Sequence, residues 1–192
     1  IDNTYDTVTI SEDFKSFSSR KSTEAISRLS LSYIGFKGHD IEFGSEVAIN
    51  TLNTDLEYLE RISGSLQETS INNSALGVRE TRIESFINDT WGLSEKATIE
   101  TILVGEYSEI GITGDANNKR NFFFLKPTLD YRYNFNPKNQ IKVSIIREVA
   151  QLNFNQFASS FSKDDEVIGG NEELVQWKNW RLALEYEHRF SN

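Results

Sequence analysis

The sequence predicts an all-β chain, an antiparallel up-and-down transmembrane β-barrel of about eight strands. Its apolar face would meet lipid, with short periplasmic turns at one end and long extracellular loops at the other. Three observations predict this class. Apolar and polar residues alternate with a period of two in run after run of the 192 residues. The connections between runs are short and long by turns. Aromatic residues collect at the run ends beside the short connections. A period of two is the signature of a strand with two unlike faces. Loops segregated by length are the habit of membrane barrels, and ring side chains with a wet tip favour a bilayer interface.

The runs, in order, are as follows. Positions 4–14 carry Val8, Ile10 and Phe14, and 25–34 carry Leu29, Leu31 and Tyr33. Ile41, Phe43, Val47 and Ile49 mark 41–51, Ile83 and Ile87 mark 78–90, and Ile99, Leu103 and Tyr107 mark 97–109. Ser and Thr interrupt the alternation in 4–14 and 78–90. The clearest run sets Leu125, Pro127, Leu129, Tyr131, Tyr133 and Phe135 against Lys126, Thr128, Asp130, Arg132 and Asn134. Asn136-Pro137-Lys138-Asn139 then turns the chain into Ile141, Val143 and Ile145, a hairpin. The last run, 180–190, sets Trp180, Leu182, Leu184, Tyr186, His188 and Phe190 against Arg181, Glu185, Glu187 and Arg189.

Short connections fall at 35–40, 92–96 and 136–139, and long polar ones at 15–23, 52–77, 110–121 and 153–173. Tyr33, Phe36, Trp91, Tyr133, Phe135 and Phe190 sit beside the short ones. Within 52–77, Leu52, Leu56, Leu59 and Ile62 fit a short amphipathic helix as well as a loop or an extended strand end.

Composition narrows the function. Hydrophobic residues make up 38% and aromatics 12%, and the mean hydropathy is −0.48. That is too polar for a thick core and too aromatic for a disordered chain. A net charge of −9 argues against nucleic acid, which needs a basic stripe. No Cys excludes disulfide scaffolds, thiolate metal sites and cysteine nucleophiles. Alternation suits a soluble barrel as well as a membrane one. The low hydrophobic total, the loops and the terminal aromatics select the lipid-facing version. No Met is present and the chain opens at Ile1, so something upstream is expected to have been removed: a start residue, a signal peptide or a whole domain.

The C-terminal half resembles the barrel of TonB-dependent outer-membrane receptors. The resemblance lies in Phe122-Phe123-Phe124-Leu125-Lys126-Pro127, in Arg147-Glu148-Val149-Ala150-Gln151-Leu152-Asn153-Phe154 with Phe157, in Gly170-Asn171 with Leu174, and in the closing Leu184-Glu185-Tyr186-Glu187-His188-Arg189-Phe190. Arg79 to Phe86 leading into Trp91 is a looser match. Glu172 and Gln176 stand where the family commonly has proline. The closing strand also resembles the signal read by the outer-membrane barrel-assembly machinery, with Ser191 and Asn192 after the aromatic.

The resemblance implies that residues 1–192 are one transmembrane β-barrel segment, the C-terminal part of a larger receptor whose plug domain is absent from this chain. It implies location in the bacterial outer membrane and uptake of a ligand of the siderophore, vitamin or saccharide class, powered through TonB. The partners implied are outer-membrane lipid, the remaining barrel strands and plug of the same receptor, TonB through that plug, and a small-molecule ligand whose identity stays open. Two other readings stay open: a complete eight-stranded outer-membrane barrel of structural or adhesive type, and a soluble ligand-binding barrel.

Candidate chemistry is sparse. Asp164-Asp165-Glu166 and Glu172-Glu173 lie in a polar loop at spacings that fit no EF-hand, and read as solvated surface. Gly169-Gly170 lacks the Lys-Ser/Thr of a phosphate loop, and Asn72-Asn73-Ser74 and Asn88-Asp89-Thr90 are chance matches to a glycosylation pattern. His39 and His188 are too few for a triad or metal site. No catalytic, metal or cofactor residues are assigned, and the chain is expected not to be an enzyme. Arg28, Arg82, Arg132 and Arg181, with Glu24, Glu42, Glu100 and Glu185, are expected on the lumen side. There they would either contact an anionic ligand or, as preferred, pair across strands on a wet wall.

Overall fold

The computed structural model describes residues 1–11, 13–161, 167–171 and 173–190. Asp164, Asp165, Glu166 and Glu172, weighed above as surface carboxylates, lie outside the described residues, as do Ser191 and Asn192. The strands are β1 (Asp2–Ile10), β2 (Phe14–Tyr33), β3 (His39–Ile62), β4 (Ser65–Glu68), β5 (Leu76–Gly92), β6 (Ala97–Gly114), β7 (Asn118–Asn136), β8 (Asn139–Val149), the short β9 (Ser160–Phe161) and β10 (Val167–Ile168), and β11 (Lys178–His188). One antiparallel sheet runs β1-β2-β3-β5-β6-β7-β8-β11, with β4 added on β3. Neighbours in sequence are neighbours in space, so this is an up-and-down wall, and its eight main strands match the eight runs of alternation.

The sequence expectations fail mainly at the upper ends of the strands. Positions 15–23 are strand, paired with β1 on one side and β3 on the other. Residues 52–62 continue β3, which reaches 24 residues, and 110–121 is mostly the β6–β7 hairpin. Leu52 and Leu56 are therefore strand residues on one face, not a helical stripe. Within that stripe the apolar residues change face between Leu56 and Leu59, and that shift of parity imitates helical spacing. Of the long connections, the described part of 153–173 is chiefly irregular.

Turn chemistry sets the register. Ser63 and Gly64 both have positive φ (53° and 88°), the two-residue turn whose twist matches a β-hairpin, and Ile62 pairs directly with Ser65. At 137–138, the Asn136 side chain accepts the Lys138 amide at 3.0 Å. At 93–96, the Ser94 hydroxyl accepts the Ala97 amide at 3.1 Å. The aromatics expected at this end are there. Tyr33 meets Phe36 edge-on at 5.3 Å, Tyr133 meets Phe135 at 5.1 Å, and Trp91 stacks on His39 at 5.1 Å. His188 is hydrogen-bonded to Asn139 at 2.7 Å.

Register separates the two faces of the sheet. Ser27, Val47, Ile83, Tyr107 and Phe123 form one lateral row, and Leu31, Phe43, Ile87, Leu103 and Pro127 another on the same side. This outer face is apolar and exposed toward the short-turn end: Leu29 is 71% and Leu184 70% accessible. Along β7 the band from Phe123 to Tyr133 is about ten residue steps, about 33 Å along the strand at ~3.3 Å each and about 25 Å after a tilt of ~40°.

Above that band the pattern inverts. Asn53, Asp55, Arg79 and Glu109 face outward, while Leu52, Leu76, Val78, Ile110 and Ile112 face inward and are buried. The reason is the connection after β8. It folds back against the inner face, placing Phe157 and Ala158 in a cluster with those five residues and Ala116.

Candidate functional site

The inner face carries the charges. Cross-strand register puts Glu46, Glu84 and Glu106 side by side in one row, next to Arg28. Like charges directly opposite each other destabilise a sheet, and cations one step away relieve the repulsion. Arg82 reaches Glu46 at 3.8 Å and Glu84 at 3.2 Å, and Lys126 reaches Glu84 at 3.2 Å and Glu106 at 2.7 Å. Arg28 closes the near end on Glu46 at 3.8 Å, its guanidinium 4.4 Å above the Phe86 ring. Three cations and three carboxylates form a neutral ladder from β2 to β7. Just above it, Glu80 is buried and accepts the Ser108 hydroxyl at 2.7 Å and the Asn50 amide at 3.2 Å.

All eight charged residues expected on the lumen side share this face, but mostly with other partners. Arg28 and Arg82 belong to the ladder, and Arg181 pairs with Glu148 at 2.8 Å. Arg132 lies laterally between Thr98 and Lys142. Glu42, Glu100 and Glu185 form no ion pair among the described residues, and Glu24 lines the groove described next. Cross-strand pairing on the wall, the preferred expectation, describes Arg28, Arg82 and Arg181. The sequence reading missed Glu46, Glu84, Glu106 and Lys126. Each lies on the inner parity in mid-strand, yet nothing but the register tells which strand's residue stands opposite.

A groove of about 940 Å³ opens between the inner face of β1–β3 and the root of the long connection. Its floor is rich in hydroxyls, among them Thr7, Thr9, Ser16, Ser18 and Ser22, with Arg20 in their midst and Tyr5 alongside. Asn153, Phe154 and Asn155 of the connection form the opposite side.

The connection itself is pinned to the β4–β5 loop. The Ser159 hydroxyl donates to the Asn72 carbonyl at 2.6 Å, and the Ser159 amide to the Asn73 carbonyl at 3.0 Å. The Gly170 amide donates to the Ser159 hydroxyl at 3.0 Å and the Asn171 amide to the Gln156 carbonyl at 2.9 Å. Gln151, at its root, lies against the Arg82 guanidinium. The β4–β5 loop is fixed in turn by Asp115, which accepts the Ala75 amide and the Ser74 hydroxyl, each at 2.9 Å. The backbone bond from Ala75 and then the Ser74 hydroxyl hold that carboxyl below its usual value of 3.8.

No family model and no curated protein matches the sequence. A solved structure does: "Copper transporter OprC" superposes with a TM-score of 0.67 at 9% identity, over 92% of this chain and 28% of that one. The shared feature is the fold. This chain is an antiparallel barrel wall. It spans little more than a quarter of the length of the protein it matches. The ion in that protein's name belongs to that protein. Among the described residues, no three of His, Cys, Asp and Glu gather into a metal-holding group.

Proposed function

We propose that this chain is part of the barrel wall of an outer-membrane transport receptor, and that it acts without enzymatic chemistry. The observation that carries the reading is the inversion of apolar parity along the strands. Below the level of Ile49, Tyr107 and Phe123 the apolar residues point outward over a bilayer-like height. Above it they point inward onto a folded connection. A soluble barrel has no reason to keep Leu29, Leu182 and Leu184 exposed while charges line its inside. In a bilayer those residues meet lipid and the Glu46–Arg82–Glu84–Lys126 ladder lines a wet lumen.

A complete eight-stranded barrel would need β1 to pair with β11. Among the described residues they do not pair, and the half of β2 below Glu24 faces no strand on the β1 side. Open strand edges are not stable in hydrocarbon, so further strands of the same receptor would close the wall. Its plug would fill the lumen, and TonB would supply energy through that plug. The pinned connection and the groove beneath it would form part of the extracellular ligand vestibule, for a ligand of the siderophore, vitamin or saccharide class.

The test is the apparent mass and location of the native protein, detected with an antibody to residues 178–190. The expected result is a band several times larger than 22.0 kDa in the outer-membrane fraction. A band near that mass that shifts on heating would favour the small complete barrel. Recovery without detergent would favour the soluble one.

A further inference from the structure

The arginines on the inner face that the sequence singles out are occupied or flanked by charge. Arg20 is not. It projects from the middle of β2 into the groove, with Tyr5 of β1 and Thr54 of β3 directly opposite on either side, and Ser18 and Ser22 above and below on its own strand. None of these is acidic, and the nearest inward carboxylate along β2 is Glu24, about 13 Å away along the strand at ~3.3 Å per residue. Glu80, also in the groove lining, is already engaged by Ser108 and Asn50. Among the described residues the Arg20 Nε has no hydrogen-bond partner, and neither has the buried Thr54 hydroxyl on the same rung. A guanidinium that lines an open groove with no carboxylate directly beside it has its terminal N–H donors free for an anionic ligand. The surrounding row of Ser and Thr hydroxyls suits a ligand that carries hydroxyls of its own, and the groove has the volume of a small-molecule site.

We propose that the groove over β1–β3 is a binding subsite for an acidic, hydroxylated small molecule. Arg20 would take its carboxylate or phosphate in a two-pronged hydrogen bond through its terminal nitrogens, and Ser16, Ser18 and Ser22 would meet its hydroxyls. The inference names the ligand chemistry of the receptor proposed above and rests on that reading for its transport role. The binding itself does not depend on it.

The test uses the full-length protein purified in detergent, with glucuronate, glucose 6-phosphate and glucose as probes in titration calorimetry. At least one acidic sugar is expected to bind ten-fold or more tighter than glucose, and whichever is tighter tells carboxylate from phosphate. Arg20→Gln should abolish that preference and Arg20→Lys should keep part of it. Unchanged heat-modifiability and β-sheet circular dichroism would show that each variant is folded. Equal binding of glucose, an acid preference that survives Arg20→Gln, or no binding of any probe would overturn the subsite. Arg20-dependent binding by a protein found outside the outer membrane would keep the subsite and overturn the transport reading.

Discussion

The connection after β8 is held on the inner wall chiefly by one ring, and Phe157→Ala tests that. Phe157 is wholly buried against Leu52, Leu76, Val78, Ile110 and Ile112. Truncating such a ring costs about 3–5 kcal/mol, the lost transfer energy plus the cavity left behind. The strands carrying the five aliphatic residues keep their own ladders, so the loss falls on docking of the connection and not on the wall. At ~1.4 kcal/mol per ten-fold, the opening equilibrium of 154–160 should rise by two to three and a half orders of magnitude, about 10²- to 4 × 10³-fold. Once the ring lets go, the bonds from Ser159 to Asn72 and Asn73 exchange with water and add little resistance, each being worth about 1 kcal/mol net. Hydrogen exchange followed by mass spectrometry reads this peptide by peptide. Amides of Phe157, Ser159 and Asn171 should lose protection by that factor, while those of 83–91 and 99–107 keep theirs. Equal loss of protection in the strands, or none in the connection, would refute the argument that the loop is a separately docked unit.

Three further outcomes follow from the same geometry. A Cβ on Gly44 would lie 2.3 Å from the Leu29 carbonyl oxygen, so Gly44→Ala should impair assembly, read as loss of the heat-modifiable band. Gly105→Ala, whose Cβ would meet nothing within 4 Å, should leave that band unchanged. Leu103 faces outward in the apolar band, so Leu103→Arg should destabilise the protein in lipid by about 2–4 kcal/mol, whereas Ile102→Gln, one residue away on the inner face, should change it by about 0.5 kcal/mol; urea unfolding from vesicles measures both. The Asp115 carboxyl is held below 3.8 by the Ala75 amide and the Ser74 hydroxyl. Its stabilising effect is therefore fully present above that pH and is lost as pH falls through the lower folded value. Protection of the Ala75 amide, corrected for intrinsic exchange, should hold from pH 8 to 5 and drop below about pH 3.8, and Asp115→Asn should weaken it throughout.

The wall was legible in the sequence because a strand with two unlike faces writes its period directly into residue order. Tyr131, Tyr133 and Phe135 against Asp130, Arg132 and Asn134 needed no tertiary information. The strand tops were not legible for a physical reason. There the outer face meets water and the inner face meets the folded connection, so the apolar parity shifts between Ile49 and Leu52, and local pattern reads a shift as a break. Register was equally hidden. That Glu46, Glu84 and Glu106 stand in one row, with Lys126 to relieve them, depends on which residues the turns bring opposite. Arg20 was missed because it lies in 15–23, a polar stretch read as loop; the alternation of Ser16, Ser18 and Ser22 with Lys15, Phe17 and Lys21 was the faint signal of strand. The eight charged residues placed on the lumen side by parity all face that way, which shows how far a period of two reaches without a structure.

The most direct test of the account is nitroxide scanning along β6, since the chain has no cysteine to interfere. Single cysteines at 98–113 would be spin-labelled in the full-length protein in lipid vesicles, and collisions with dissolved oxygen compared with those with a water-soluble nickel chelate. The account predicts oxygen-dominated collisions at 99, 101, 103, 105 and 107, with chelate access at the even positions between them. It also predicts that odd positions from 109 upward change to the chelate, where the apolar parity inverts. Alternation of the opposite sign, with odd positions in water and even ones shielded throughout, would place the apolar face inside a soluble barrel and contradict the membrane wall.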